Sequence, residues 1–413
     1  QPTGKNVILV MLDTLRADHV GFFGYERDTT PALDRFASEN LAFVNAITSA
    51  PWTPPAVGSM FTGLYASSHG MMPPNGRELA RKSSSSLGDA NLTLAEILKE
   101  QGYQTAAVSP NPWIKSEFGY AQGFDNFYYR DRARADEINR AAFKVLDSFS
   151  KESPFLLYLH YLDPHDPYNP PGEYSTKFKG SLNARTYTPE IMADINLYDG
   201  EIRFMDDMLG RLFEELRSRK LWDESIILII ADHGEQFKER GFQGHGFHLY
   251  NEEVHVPLFL KADGRRGKVS YLASPIDVLP TILDLLDVQP PQKLQGISLV
   301  DDSELKAREE TLCEIDRKFN WKAINTNDGL RMIFDFGPPS EADSPLVPLT
   351  VGVFNSLKDY RMLEPLSDEG LAEQLRHKFA SLYDSVAQHQ VESKPVEIKS
   401  DTLEQLESLG YMK

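Results

Sequence analysis

The sequence predicts an α/β protein, and three apolar runs carry that expectation: Asn6–Leu12 (NVILVML), Phe155–Leu162 (FLLYLHYL) and Ile226–Ile230 (IILII). None of them alternates apolar with polar residues, which is the pattern of strands buried on both faces of a parallel sheet. Helical spacing of apolar residues separates them, most clearly in Leu92–Gln101 and Ile191–Leu216. Each run closes on an acid: Asp13, Asp163 and Asp232. Ligands of open α/β sheets gather beyond the carboxyl ends of the strands, so three acids in equivalent places mark one candidate site.

The stretch from Ile226 to Leu260 is the most informative. Asp232 and His233 follow the apolar run, Gly234 allows a sharp exit, and His245 and His248 lie on the polar loop before a further strand expected at Val256–Leu260. An acid and an imidazole at a strand end, with histidines on the next loop, point to a metal site. The plainer alternative is that Asp232 caps a helix and His233 lies on the surface. After Phe155–Leu162 the chain reads Asp163-Pro164-His165-Asp166-Pro167. The two prolines stiffen the loop and remove N–H donors, which suits fixed presentation of side chains.

In chain order, Asp18 and His19 lie beside Gly21 and Gly24 in an expected loop, and Thr30–Asn40 fits a helix with proline in its first turn. Pro51, Pro54 and Pro55 are expected to forbid helix before Ala56, with Val57–Leu64 helical. Thr53 then lies at or just before a helix N-terminus, a position that favours an anion, although threonine is also a common N-cap. Ser83–Ser86 reads as a polar linker, Thr105–Val108 as a short strand, Lys261–Gly267 as a basic turn and Ser274–Leu286 as a helix with Pro280 near its start. From about Asp301 the pattern changes to shorter, less apolar strands at Ala323–Thr326 and Arg331–Phe336, a loop at Gly337–Pro345, and helices at Glu369–Gln388 and Asp401–Leu409. Residues 1–300 and 301–413 are therefore expected to be two domains. The second holds no histidine–acid cluster at a buried strand end and is expected to be structural or a lid over the site.

With 413 residues, a large domain and a small one can both bury a core. A formal net charge of -18 argues against a nucleic-acid partner, which needs a basic face. The single cysteine, Cys313, rules out an intrachain disulfide and a thiolate metal cluster. No apolar run reaches the roughly 20 residues that span a bilayer. Gln1 in place of a start methionine leaves open the removal of a leading segment, and with it export or a periplasmic location. The sequence assigns no compartment.

NVILVMLDTLRADHVGFFGY, a Pro-rich segment followed by FTGLY and HG, then LDPHDPY, ADHGE, and SPIDVLPTILDLLDV ending in GISL, together resemble the sulfatase family of the alkaline phosphatase superfamily. The resemblance implies a central, mostly parallel mixed sheet between helices and a smaller α+β C-terminal domain with its own antiparallel sheet. It implies a metal-activated hydroxyl that attacks sulfur or phosphorus. Residue by residue, Asp13 matches the first metal-binding acid, Asp232 and His233 the later metal pair, and Thr53 the nucleophile, itself a metal ligand. His165 matches the histidine on the leaving-group oxygen, and His245 falls where related enzymes place a lysine or histidine on the anion. Asn75 matches a polar ligand of the substrate anion.

The departures set the expected subclass. Sulfatases in the strict sense carry Cys or Ser followed by x-Pro-x-Arg, with the first residue oxidised to formylglycine; here the segment is Thr53-Pro54-Pro55-Ala56-Val57. Asp13-Thr14 and Asp232-His233 stand where those enzymes show Asp-Asp and Asp-Asn. An imidazole ligand favours manganese or zinc over the calcium suited to an all-oxygen set, though calcium stays possible. One divalent cation is expected, because two-zinc relatives show Asp-x-x-x-His and the residue four after Asp163 is Pro167. The leading expectation is a hydrolase of phosphate or phosphonate esters through threonine, resembling the phosphodiesterase, phosphonate hydrolase and phosphoglycerol transferase relatives. Its substrate would be a small-molecule, glycan or lipid-head-group ester. The alternatives are a sulfuric ester hydrolase without formylglycine and a non-catalytic metal-binding member of the fold.

Overall fold

The computed structural model describes residues 4–71, 83–183, 187–337, 349–391, 393 and 395–409. Eight strands form the main sheet: β1 (Asn6–Leu12), β2 (Leu41–Ala46), β3 (Gln104–Ser109), β4 (Asn126–Tyr129), β5 (Phe155–Tyr161), β6 (Ser225–Ala231), β7 (Leu258–Lys261) and β8 (Gly267–Ala273). Their order across the sheet is β8-β2-β7-β6-β1-β5-β3-β4. Only β7 runs against its neighbours β6 and β2; every other pairing is parallel. The sheet is thus the mostly parallel, mixed one expected.

The three apolar runs become the central strands β1, β5 and β6, and each is buried along its whole length. Helices on both faces account for that burial. The long α5 (Pro189–Ser218) packs against α1 (Pro31–Glu39) and α4 (Ala135–Ser148); a second group joins α2 (Thr53–Thr62) to α3 (Leu94–Glu100) and α6 (Val278–Leu285). Thr93 caps α3 in a capping box with Glu96, as a Thr-x-x-Glu sequence ahead of an apolar period should.

A second, antiparallel sheet runs β9 (Glu310–Asp316), β10 (Asn320–Thr326), β11 (Leu330–Asp335) and β12 (Leu349–Asn355) in sequence order. Helix α7 (Glu369–Ala387) packs on β9 and β10, and α8 (Ser400–Ser408) ends the described chain. The sheet does not close its cores alone: Ile47, Leu249 and Leu272 join Cys313 and Ile333 in one cluster, and Tyr65 and Ile276 join Leu312 and Ile324 in another.

Three expectations need correction. Helix α2 begins at Thr53, with Pro54 and Pro55 inside its first turn, where the missing N–H groups would have had no helical partner. Ser83–Ser86 is no linker, since Ser83–Ser85 pairs as a short strand with Pro395–Glu397. The basic turn after β7 leads into β8, which the sequence reading passed over because exposed residues such as Lys268 and Ser270 interrupt it. Most of the Gly337–Pro345 loop, and Asn75, lie outside the described residues. Among the described residues, no helix is long and apolar enough to cross a membrane.

Candidate active site

Register brings the site together. Leu12 at the end of β1 pairs with Tyr161 of β5 on one side and Ala231 of β6 on the other, so Asp13 and Asp232 each stand one residue past matched positions. The Asp13 N–H donates to the Tyr161 carbonyl (2.9 Å), which continues the ladder to the site's edge. Gly234 lets the next segment approach: its N–H donates to the Glu253 carbonyl at 2.8 Å, and a Cβ there would meet the Glu252 carbonyl oxygen at 2.1 Å. Any side chain at this position would force the two segments apart.

Both acids are fully buried. Asp13 Oδ2 lies 2.7 Å from Asn111 Nδ2 and 2.8 Å from His160 Nε2; Asp232 Oδ1 accepts the N–H groups of Thr14 (3.1 Å) and His233 (2.9 Å). Asp13 Oδ1 accepts no hydrogen bond from a described donor. Asp232 Oδ2 lies 3.4 Å from His233 Nε2, with the Thr53 hydroxyl bearing on the same carboxylate. One oxygen of each acid is therefore fixed by the protein while Asp13 Oδ1 has no donor. Ligand atoms of Asp13, His160 and Asp232 all come within 4.8 Å of one another. Burial, then the Asp13 charge, pushes Asp232 well above the ordinary carboxylate range. For Asp13, burial is outweighed by the hydrogen bond and field of His160, and its carboxyl lies below that range. Two enclosed carboxylates with an orphaned oxygen, beside imidazoles, fit a divalent cation by charge and donor type.

Thr53 opens α2 with its hydroxyl 3.2 Å from His233 Nε2. His233 Nδ1 lies 2.9 Å from the Gly234 carbonyl, which can only accept, so the ring proton belongs on Nδ1 and the Nε2 lone pair faces Thr53. Burial holds His233 down at about 4 and His245 well below its ordinary value. Burial also lowers His165, against the opposing field of Asp13. The three rings form a row, with centroids 4.3 Å apart for His233 and His245 and 5.0 Å for His245 and His165. His165 Nδ1 lies 2.6 Å from the Asp166 carbonyl, and His245 Nδ1 is 3.3 Å from Glu235. Beyond His165 a cavity of about 210 Å³ is lined by Arg132, Arg134, Asp163, Glu201 and Leu409 among others.

The structure thus gathers Asp13, Thr53, His165, Asp232, His233 and His245 in one place. Sequence reasoning missed four neighbours. His160 stood out only as an imidazole inside an apolar run, and Asn111 as a polar residue just past β3. Glu235 sits inside the ADHGE motif. Arg317 gave no signal, because it reaches the site from the β9–β10 turn.

Comparison with known proteins now places the chain. The protein-family model described as Sulfatase matches residues 5–288. The chain belongs to the sulfatase family. It is 24% identical over 361 residues to the uncharacterized sulfatase YidJ of Escherichia coli strain K12, a match covering 71% of this chain and 70% of YidJ. It is 25% identical over 405 residues to the multifunctional alkaline phosphatase superfamily protein PehA of Trinickia caryophylli, covering 72% of this chain and 77% of PehA. Among solved structures, the phosphonate monoester hydrolase of Agrobacterium radiobacter superposes with a TM-score of 0.72 at 18% identity, over 96% of this chain and all (100%) of that one. The sulfatase-family chain is an ester hydrolase with a candidate Asp-His-Asp metal centre at the carboxyl end of its sheet.

Proposed function

We propose that the protein hydrolyses phosphate or phosphonate esters through Thr53 as covalent nucleophile, with one divalent cation, manganese or zinc, held by Asp13, Thr53, Asp232 and His233. The carrying observation is the Thr53 hydroxyl, 3.2 Å from the lone pair of His233 at the first residue of α2 and beside both buried acids. When bound by these residues, a divalent cation would supply Lewis-acid chemistry, lowering the pKa of a hydroxyl and offsetting charge on the anion. His233 Nε2 stands 3.2 Å from the Thr53 hydroxyl and would fix its place; with that lone pair given to the cation, the Thr53 proton would leave by another base. The bond from Thr53 Oγ1 to phosphorus forms as the bond to the alcohol oxygen breaks. His165 carries its ring proton on Nδ1, 2.6 Å from the Asp166 carbonyl, so its Nε2 lone pair would accept the Thr53 proton by way of water and hand it to the departing alcohol, for which the cavity lined by Arg132 and Arg134 provides room. Water then repeats the displacement on phospho-threonine and releases Thr53. A threonine in the nucleophile position, with no Cys or Ser there to become formylglycine, favours phosphorus over sulfur, and relatives such as PehA keep the wider alkaline phosphatase superfamily in view.

The second reading, hydrolysis of sulfate esters by threonine itself, is favoured by the family description and by YidJ. Assays of an aryl phosphate monoester, diester, phosphonate and sulfate, each with manganese, zinc and calcium, separate the two. Highest kcat/KM is expected for a phosphorus ester with manganese or zinc, lost by at least about a thousandfold in Thr53→Ala. A sulfate ester as the best substrate would select the second reading.

A further inference from the structure

We propose that Arg317, delivered by the C-terminal sheet, grips the non-bridging oxygens of the transferred anion at the mouth of the Thr53 site. The inference rests on the ester-hydrolase reading above and adds the residue that fixes the charge of its substrate. Arg317 lies in the turn between β9 and β10, where its N–H donates to the Phe319 carbonyl (3.2 Å). Its guanidinium carbon stands 4.8 Å from the ring centroid of Trp52, the residue before Thr53. A Cβ on Gly246 would come within 2.5 Å of Arg317 Nη1, so the guanidinium occupies the space beside the residue that follows His245. These two contacts place it between the nucleophile segment and the histidine loop. Its positive field reaches both His233 and His245.

The site has need of such a group. A helix N-terminus ordinarily offers several free N–H groups to an anion. Here Pro54 and Pro55 have none, and the Ala56 N–H is directed at the Trp52 carbonyl (3.4 Å), which leaves at most Thr53's own. Val57 places an apolar side chain on the same helix. A guanidinium can fork onto two oxygens of a tetrahedral anion, and it stays charged at any working pH.

The turn is braced against the catalytic part of the chain. Phe319 stacks on His248 with centroids 5.5 Å apart, and Lys318 Nζ lies 4.2 Å from the Phe242 ring centroid. Glu314 accepts from Ser67 (N 3.1 Å, Oγ 3.0 Å) and pairs with Lys322 at 3.0 Å, while its N–H donates to the Ser49 carbonyl at 2.9 Å. Arg317 is therefore presented by a fixed support, which limits the entropy lost when an anion binds.

The test is calorimetric titration of inorganic phosphate into manganese-loaded wild type, Arg317→Met and Arg317→Lys at two salt concentrations. Loss of a charge-assisted pair predicts phosphate binding about ten- to a hundredfold weaker in Arg317→Met, with thermal midpoint and manganese content unchanged. Arg317→Lys should recover part of that affinity, because an ammonium keeps the charge and loses the fork. Should the methionine variant not fold, the lysine variant carries the test alone, with several-fold weakening expected. Phosphate affinity within twofold of wild type in a folded variant would overturn the role of Arg317. Failure of the wild type itself to bind phosphate would instead overturn the site reading beneath it.

Discussion

Two carboxylates enclosed at the end of an apolar sheet repel each other at low dielectric, and every donor around them helps decide whether they can hold a cation. His160 is such a donor: its Nε2 lies 2.8 Å from Asp13 Oδ2, and its Nδ1 lies 2.8 Å from the Tyr158 hydroxyl. Replacing it with phenylalanine fills the space and removes the partner. His160→Phe should bind manganese about ten- to a hundredfold more weakly, by metal titration of folded protein, and lose activity that excess manganese partly restores. Unchanged metal affinity would reduce His160 to a packing residue. The acids and His233 were legible because each follows a long apolar run, and His165, His245 and Thr53 because motifs in a fixed order carry them. His160 and Asn111 were not, since their contacts with Asp13 depend on which strands lie next to β1, a fact that no local pattern contains.

At the scale of elements, α5 shows how a helix can carry acids into a core. Its spacing was readable as one long helix, and the structure extends it only slightly at each end. What the spacing could not show is that Asp199, Glu201 and Asp206 all lie on its buried side. Glu201 accepts the Asn169 N–H at 2.7 Å, yet burial, then the charge of Asp163, raises its carboxyl to about 8 from 4.5. The folded protein therefore holds this proton more tightly than the unfolded chain. The stability it contributes is complete below about pH 4.5 and is lost as pH rises through 8. Urea denaturation from about pH 5 to about pH 8 should show Glu201→Gln losing less stability than wild type, by roughly 3 kcal/mol. Parallel curves would contradict the raised carboxyl. Strands away from the sheet's apolar centre were missed, β2, β4 and β8 among them, because partial exposure breaks up the pattern that the central runs keep.

Over the whole molecule, the sheet converts sequence distance into contact. Asp13, Thr53 and Asp232 come from widely separated stretches, and the C-terminal sheet adds Arg317 while sharing two apolar clusters with the main body. We propose that the part after residue 300 is a smaller domain built onto the catalytic one and adding to the rim of its site, rather than a separate module. The fold class was legible because buried strands with acid ends are long-range signals written locally. Arg317 was not, because a turn in a distant sheet announces nothing about what it faces. The proposed reaction turns on one oxygen, Thr53 Oγ1. The most direct test is mass spectrometry of wild-type enzyme, quenched during turnover of an aryl phosphodiester or phosphonate and digested to peptides. A phosphoryl or phosphonyl adduct on the Thr53 peptide, absent from Thr53→Ala, is the expected result. Full turnover by Thr53→Ala with no adduct on any peptide would contradict it and assign the attack to water.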